Sequence, residues 1–226
     1  MRLIHFIAIA ALGLIASMAS ADIFDLSGVC RSGQPDGVRL QEQMGQVGCV
    51  DGVLTAEAGP KDGRVGKAAL IVPTGRLGPG AGLRISAEVF FPTDSPMNSI
   101  ILMDAECKYC GRDDNPGLRL YLRDGRLRVD RAKIGERHAW TNDTAPQVPR
   151  GRWVELVWDL GIATGDDGRS DVWLDGVPVL QDTGRTTPED RAPGDAVDRV
   201  QIGVTANSND SPVSLQMRAI RIETRP

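Results

Sequence analysis

The stretch GLRLYLRDGRLRV, Gly117 to Val129, decides the fold class. Leu118, Leu120 and Leu122 alternate with Arg119, Tyr121 and Arg123, the period of a strand with one face in a core and the other in water. Asp124-Gly125 then supplies two residues that tolerate positive φ, as a two-residue hairpin turn requires. Leu127 and Val129 resume the alternation on the return, so the stretch is a β-hairpin. The same pattern recurs along the chain. Leu83, Ile85, Ala87, Val89 and Phe91 alternate with Arg84, Ser86, Glu88 and Phe90 before Pro92 ends the run. Asp175-Gly176 joins Val172-Trp173-Leu174 to Val177-Pro178-Val179-Leu180 as a second hairpin. Ile100 to Met103, Trp153 to Leu160, Asp171 to Leu174, Val200 to Val204 and Ser214 to Ile222 read as further strands. One short helix is expected over Gly37 to Gln46, where Leu40 and Met44 stand at helical spacing and Gly45 lies near its end. No repeat or linker divides the chain, so the expected class is all-β: one two-sheet antiparallel sandwich.

The chain has 226 residues, 41% of them hydrophobic and 25% charged, with 26 Gly, 14 Pro and 4% aromatics, which suits one β-domain and excludes a polytopic membrane protein. Met1-Arg2, the apolar run Leu3 to Met18 and the small residues Ala19-Ser20-Ala21 have the form of a signal peptide, residues 1–21, and imply a periplasmic or secreted protein. Its removal takes away one Arg and no acid, leaving 205 residues at a net charge of −5. That balance points away from nucleic acid and from membrane surfaces after cleavage.

Four cysteines, Cys30, Cys49, Cys107 and Cys110, follow the leader, and an even count in an exported chain indicates disulfides. Three pairings are possible, and Cys30 with Cys49 and Cys107 with Cys110 close local loops. A redox dithiol at Cys107-Lys108-Tyr109-Cys110 would need a helix to follow, and a loop follows instead. A four-thiol zinc site is disfavoured by the single CxxC spacing. His138 alone remains after the leader, so metal sites built on two or three imidazoles are closed. No cofactor is expected. Asp166-Asp167-Gly168 and Asp113-Asp114-Asn115 are oxygen-rich turns that allow a structural calcium but lack EF-hand spacing.

Several motifs resemble laminin-G-like and other concanavalin A-like jelly rolls: Gly63-Arg64-Val65-Gly66-Lys67-Ala68-Ala69-Leu70, Leu83 to Pro92 and Gly117 to Leu127. Gly151-Arg152-Trp153-Val154-Glu155-Leu156-Val157-Trp158 followed by Val172-Trp173-Leu174-Asp175-Gly176 is similar to secreted polysaccharide lyases of that fold. The resemblance implies a jelly-roll domain over residues 63–226, with residues 22–62 as an N-terminal, disulfide-bearing segment packed on it. It also implies a ligand lying across the concave sheet.

Strand parity places Arg119, Tyr121 and Arg123 on the face opposite their leucines, and Arg84 and Glu88 opposite theirs. These five are the expected ligand-binding residues. There are 22 Arg against 4 Lys, and residues 112–152 carry a local +4 where residues 155–199 carry −7. Guanidinium groups hold carboxylates and sulfates through paired hydrogen bonds, so the expected partner is an acidic polysaccharide. The alternative is a polysaccharide lyase cleaving a uronate glycan by β-elimination, with Tyr121 and His138 as its acid and base. The alginate-lyase-type arrangement of Arg-x-Glu, Gln-x-His and Tyr-x-Lys-x-Gly strands is missing, and no Glu-x-Asp-x-x-Glu array supports a hydrolase. A laminin-G-like protein-interaction module is the third reading. Trp140, outside the strand core, suits either a sugar platform or a lid over the core edge.

Overall fold

The computed structural model describes residues 21–25, 37–108, 115–188 and 196–225. Fifteen strands lie within them: β1 (Ala21–Asp25), β2 (Arg39–Gln43), β3 (Gly45–Val50), β4 (Val53–Ala58), β5 (Gly66–Leu77), β6 (Gly82–Phe90), β7 (Ile100–Glu106), β8 (Gly117–Arg123), β9 (Arg126–Asp130), β10 (Trp140–Thr141), β11 (Trp153–Gly161), β12 (Arg169–Leu174), β13 (Val177–Thr183), β14 (Val197–Asn207) and β15 (Val213–Arg225). A single 3-10 turn, Ala132–Ile134, joins β9 to β10. The strands form two antiparallel sheets. The larger runs β13-β12-β11-β6-β15-β4-β3, with β1 also on β15; the smaller runs β10-β9-β8-β7-β14-β5-β2. From β5 onward the chain passes repeatedly between them, which is the jelly-roll sandwich expected.

Alternation explains each layer. Leu83, Ile85, Ala87 and Val89 of β6 and Leu118, Leu120 and Leu122 of β8 are all essentially buried and belong to one core cluster between the sheets. Burying each large side chain stabilises the fold by about 1.5–3 kcal/mol. Trp158 is fully buried on β11, and its indole Nε1 donates to Ser170 Oγ at 2.9 Å, so the polar edge of the largest core residue is satisfied. Both expected hairpin turns form. Asp124 and Gly125 have φ of 53° and 75°, and Asp175 and Gly176 have 50° and 74°.

The helix expected over residues 37–46 is instead two strands in different sheets. β2 pairs with β5 and β3 pairs with β4. Met44 turns the chain between them with φ of 49°, and a Cβ on Gly45 would lie 2.5 Å from the Lys67 carbonyl oxygen. Leu40 and Met44 are 44% and 42% exposed, so their spacing records no apolar helix face. The division drawn at residue 62/63 falls between β4 and β5, and strands on its N-terminal side are hydrogen-bonded into both sheets. Cys49 and Cys107 are disulfide-bonded. Cys30 and Cys110, and therefore the expected pairing, lie outside the described residues, as do residues 1–20 of the expected signal peptide.

Candidate functional site

The face of the smaller sheet that points away from the core carries an unusual set of side chains. Strand registers place one residue from each of six neighbouring strands in a lateral row: Asp130, Arg119, Asp104, Gln201, Ile71 and Arg39. A parallel row sets Glu106 beside Arg199. Outward-facing residues on a sheet normally meet water, yet Asp104, Glu106, Arg199 and Gln201 are all buried.

The chemistry of this cluster is divided. Glu106 accepts from Lys133 Nζ at 3.0 Å, from Arg199 Nη2 at 2.8 Å and from Gln201 Nε2 at 2.5 Å, so both of its oxygens are committed. Asp104 stands two residues earlier on the same face of β7. Burial, and then the negative charge of Glu106, push its carboxyl up to about 6, against the opposing pull of a Thr205 hydrogen bond, Lys133 and Arg119. Its Oδ1 is buried without a hydrogen-bond partner, and so are Gln201 Oε1, Gln41 Oε1 and the Nε donors of Arg119 and Arg128. Arg119 otherwise donates to Asp130, and Arg128 donates to Asp143 Oδ1 at 3.2 Å. At its β2 edge the face opens into a pocket of about 240 Å³ lined by Arg39, Ile71, Lys108, Asp198 and Arg199 among others. A larger pocket of about 570 Å³ is lined in part by Glu57, Asp94, Ser95 and Ser214, and neither pocket is lined by a residue with an unpartnered buried atom.

The residues expected to bind ligand do not form one surface. Arg119, Tyr121 and Arg123 lie on β8 in the smaller sheet, and Arg84 and Glu88 lie on β6 in the larger one. Both sets point outward, so they occupy opposite sides of the sandwich. Parity identifies the outward face of a strand; it carries no information about which sheet the strand joins. Arg84 Nη1 donates to Asp159 Oδ2 at 3.2 Å, and Glu88 is paired with Arg218.

Tyr121 and His138 are likewise not brought together by any interaction among the described residues. Burial raises the Tyr121 phenol, and the charges acting on it come from Arg128, Asp130, Arg123 and Arg119. His138 is exposed in the loop before β10, where its charge acts on Glu136, a carboxylate held by Arg185 and Arg131. Trp140 is buried, with the Arg131 guanidinium 4.0 Å from its ring centroid, so it closes the core edge. No group of three or more His, Cys, Asp or Glu side chains placed to hold a metal ion occurs among the described residues, and Asp113 and Asp114 lie outside them. Sequence reading missed Asp104, Glu106, Arg199, Gln201 and Gln41. The available signal was the alternation Asp104-Ala105-Glu106 and Arg199-Val200-Gln201, which extends two strands beyond their apolar segments.

No protein-family profile and no curated protein sequence matches the chain. Solved structures do. Endo-β-1,4-glucuronan lyase from the fungus Trichoderma reesei superposes with a TM-score of 0.59 at 17% identity, over 83% of this chain and 87% of that one. A variant of alginate lyase Aly36B in complex with alginate trisaccharide gives 0.58 at 14% identity, over 90% and 93%. Cellulose induced protein Cip1 gives 0.53 at 16% identity, over 84% and 88%. The chain thus shares its jelly-roll sandwich fold with these solved structures, two of which are polysaccharide lyases.

Proposed function

We propose that the protein is exported and binds a uronate-containing polysaccharide along the outward face of the smaller sheet. One observation carries this reading: unpartnered acceptors and unpartnered cationic donors lie buried side by side on a face that points away from the core. A leftover buried polar atom costs about 1–3 kcal/mol, so such a set is retained where a ligand completes it. A uronate ring offers hydroxyl donors for Asp104 Oδ1, Gln201 Oε1 and Gln41 Oε1, and a carboxylate for Arg119 and Arg128. Neutral sugars supply the first and not the second. Neighbouring strands lie about 4.8 Å apart, so the row from β9 to β2 is roughly 24 Å long and accommodates several sugar units. The structural likeness to an alginate lyase in complex with alginate trisaccharide supports the same ligand class.

Affinity electrophoresis at low salt tests the reading. Retardation is expected in gels containing polymannuronate or polyglucuronate and not in a neutral glucan. Arg119→Ala and Arg128→Ala should each weaken binding by about five- to tenfold, the effect of losing a hydrogen bond from a charged, partly exposed donor. Equal mobility in charged and neutral gels would contradict it.

A further inference from the structure

We infer that Asp104 is the proton-transferring residue of a glycan-cleaving site on this face: its free Oδ1 takes the hydrogen from the carbon alpha to a bound uronate's carboxylate and passes it to the departing glycosidic oxygen. The inference rests on the binding reading above and adds a reaction to it.

The two carboxylates of β7 occupy contrasting settings. Glu106 is tied by Lys133, Arg199 and Gln201 and has no oxygen to spare. Asp104 has no ion-pair partner within bonding distance among the described residues and keeps one oxygen free. Hydrolysis of a glycosidic bond uses two carboxyl groups, one on each side of the bond. Only one of this pair is available, so the arrangement does not suit hydrolysis. β-Elimination needs one base, together with donors that hold the sugar carboxylate as negative charge moves onto it. Arg119 stands beside Asp104 on one side and Gln201 on the other, and Lys133 acts on it from the 3-10 turn.

The step balances without a co-reactant. The C5–H bond breaks and its proton goes to Asp104. The electron pair forms the C4–C5 double bond as the C4–O bond breaks, and the same proton then passes from Asp104 to the leaving oxygen. One polymer gives one chain with an unsaturated end and one with a new reducing end. A single residue can serve both oxygen and hydrogen when they lie on the same side of the ring, as they do in mannuronate and glucuronate.

Asp104 Oδ1 is closed to bulk water. The cationic arms whose charge reaches it are Lys133 and Arg119. Both are ion-paired elsewhere, Lys133 with Glu106 and Arg119 with Asp130, and a bound uronate carboxylate competes for them as it settles beside the base. The groups that set its protonation are Glu106 on its own strand, Arg119 on β8, Thr205 on β14 and Lys133. Burial and Glu106 dominate, so the base form is reached as pH rises through about 6.

Full-length protein incubated with polymannuronate or polyglucuronate should generate the ultraviolet absorbance of an unsaturated uronate, at a rate that climbs through about pH 6. Asp104→Asn keeps an Oδ1 acceptor for a sugar hydroxyl, so it should still be retarded in the affinity gel, by no more than wild type, while losing about 100-fold or more in rate, the usual contribution of a positioned base. Asp104→Glu, which keeps a carboxyl, should retain measurable turnover. The wild-type pH profile is a readout that does not depend on either variant folding. Binding without product, new reducing ends without absorbance, a rate flat through pH 6, or a folded Asp104→Asn of undiminished rate would each overturn the inference and leave the binding reading standing. Failure to bind either polymer overturns the binding reading beneath it.

Discussion

Asp104 and Glu106 are two residues apart on one face of one strand, and their substitutions should act in opposite directions. The folded value of Asp104 is raised from 3.8 to about 6, so the folded protein holds a proton that the unfolded chain has released between those pH values. Stability contributed by this group is therefore present below about pH 4 and lost as pH rises towards 6, with an upper limit of about 3 kcal/mol. Asp104→Asn should raise the melting temperature at pH 7 and flatten the decline between pH 4 and 6, as calorimetry across that range will show. Glu106→Gln leaves the buried Arg199 and the partly buried Lys133 without their carboxylate. It should cost about 3–5 kcal/mol in denaturant unfolding at pH 7.

At the scale of elements, β14 organises the site. Its register against β7 breaks between Ile202 and Ala206, and Gly203 sits in the break with φ of 131°. A Cβ there would fall 2.6 Å from the Ala68 carbonyl oxygen. Such a break re-aims neighbouring side chains, here Gln201 and Thr205 on either side of it. Gly203→Ala should destabilise the fold by more than about 1 kcal/mol and weaken retardation in polyuronate gels, because β5 and β14 must separate to admit the methyl group. The strands themselves were legible in sequence where alternation was strong, as in β6, β8 and β11, and both hairpin turns were legible from Asp-Gly pairs. The end of β7 was not, because Asp104 and Glu106 are polar residues buried by what surrounds the sheet, and local hydrophobicity does not record that. Residues 37–46 misled because the spacing of Leu40 and Met44 also fits two strands meeting at a positive-φ turn. The site could not be assembled from strand parity alone: β6 and β8 present arginines in the same way, and the sheet each strand joins is set by long-range pairing.

Across the whole molecule, the two outward faces treat charge differently. On the larger sheet Asp159 is shared by Arg84, Arg169 and Arg225, Arg218 pairs with Glu88, and the Arg218 guanidinium lies 4.3 Å from the Trp153 ring centroid. Each of those arginines is ion-paired within the protein, and although Arg225 also keeps a buried Nε without a partner, no unpartnered buried acceptor stands on that sheet among the described residues. On the smaller sheet Arg119 and Arg128 each keep a buried Nε without a partner, beside acceptors in the same condition. Binding there should weaken as salt rises, since the contribution of the partly exposed cations is screened over about 8–10 Å at physiological ionic strength. The contrast between faces gives the most direct measurement: retardation in polymannuronate gels of wild type, the Arg119→Ala/Arg128→Ala double variant and the Arg84→Ala/Arg218→Ala double variant. Wild type and the larger-sheet variant should be retarded alike, and the smaller-sheet variant should run nearly as it does in a neutral gel. Retardation lost in the larger-sheet variant and kept in the smaller-sheet one would contradict the placement of the binding face.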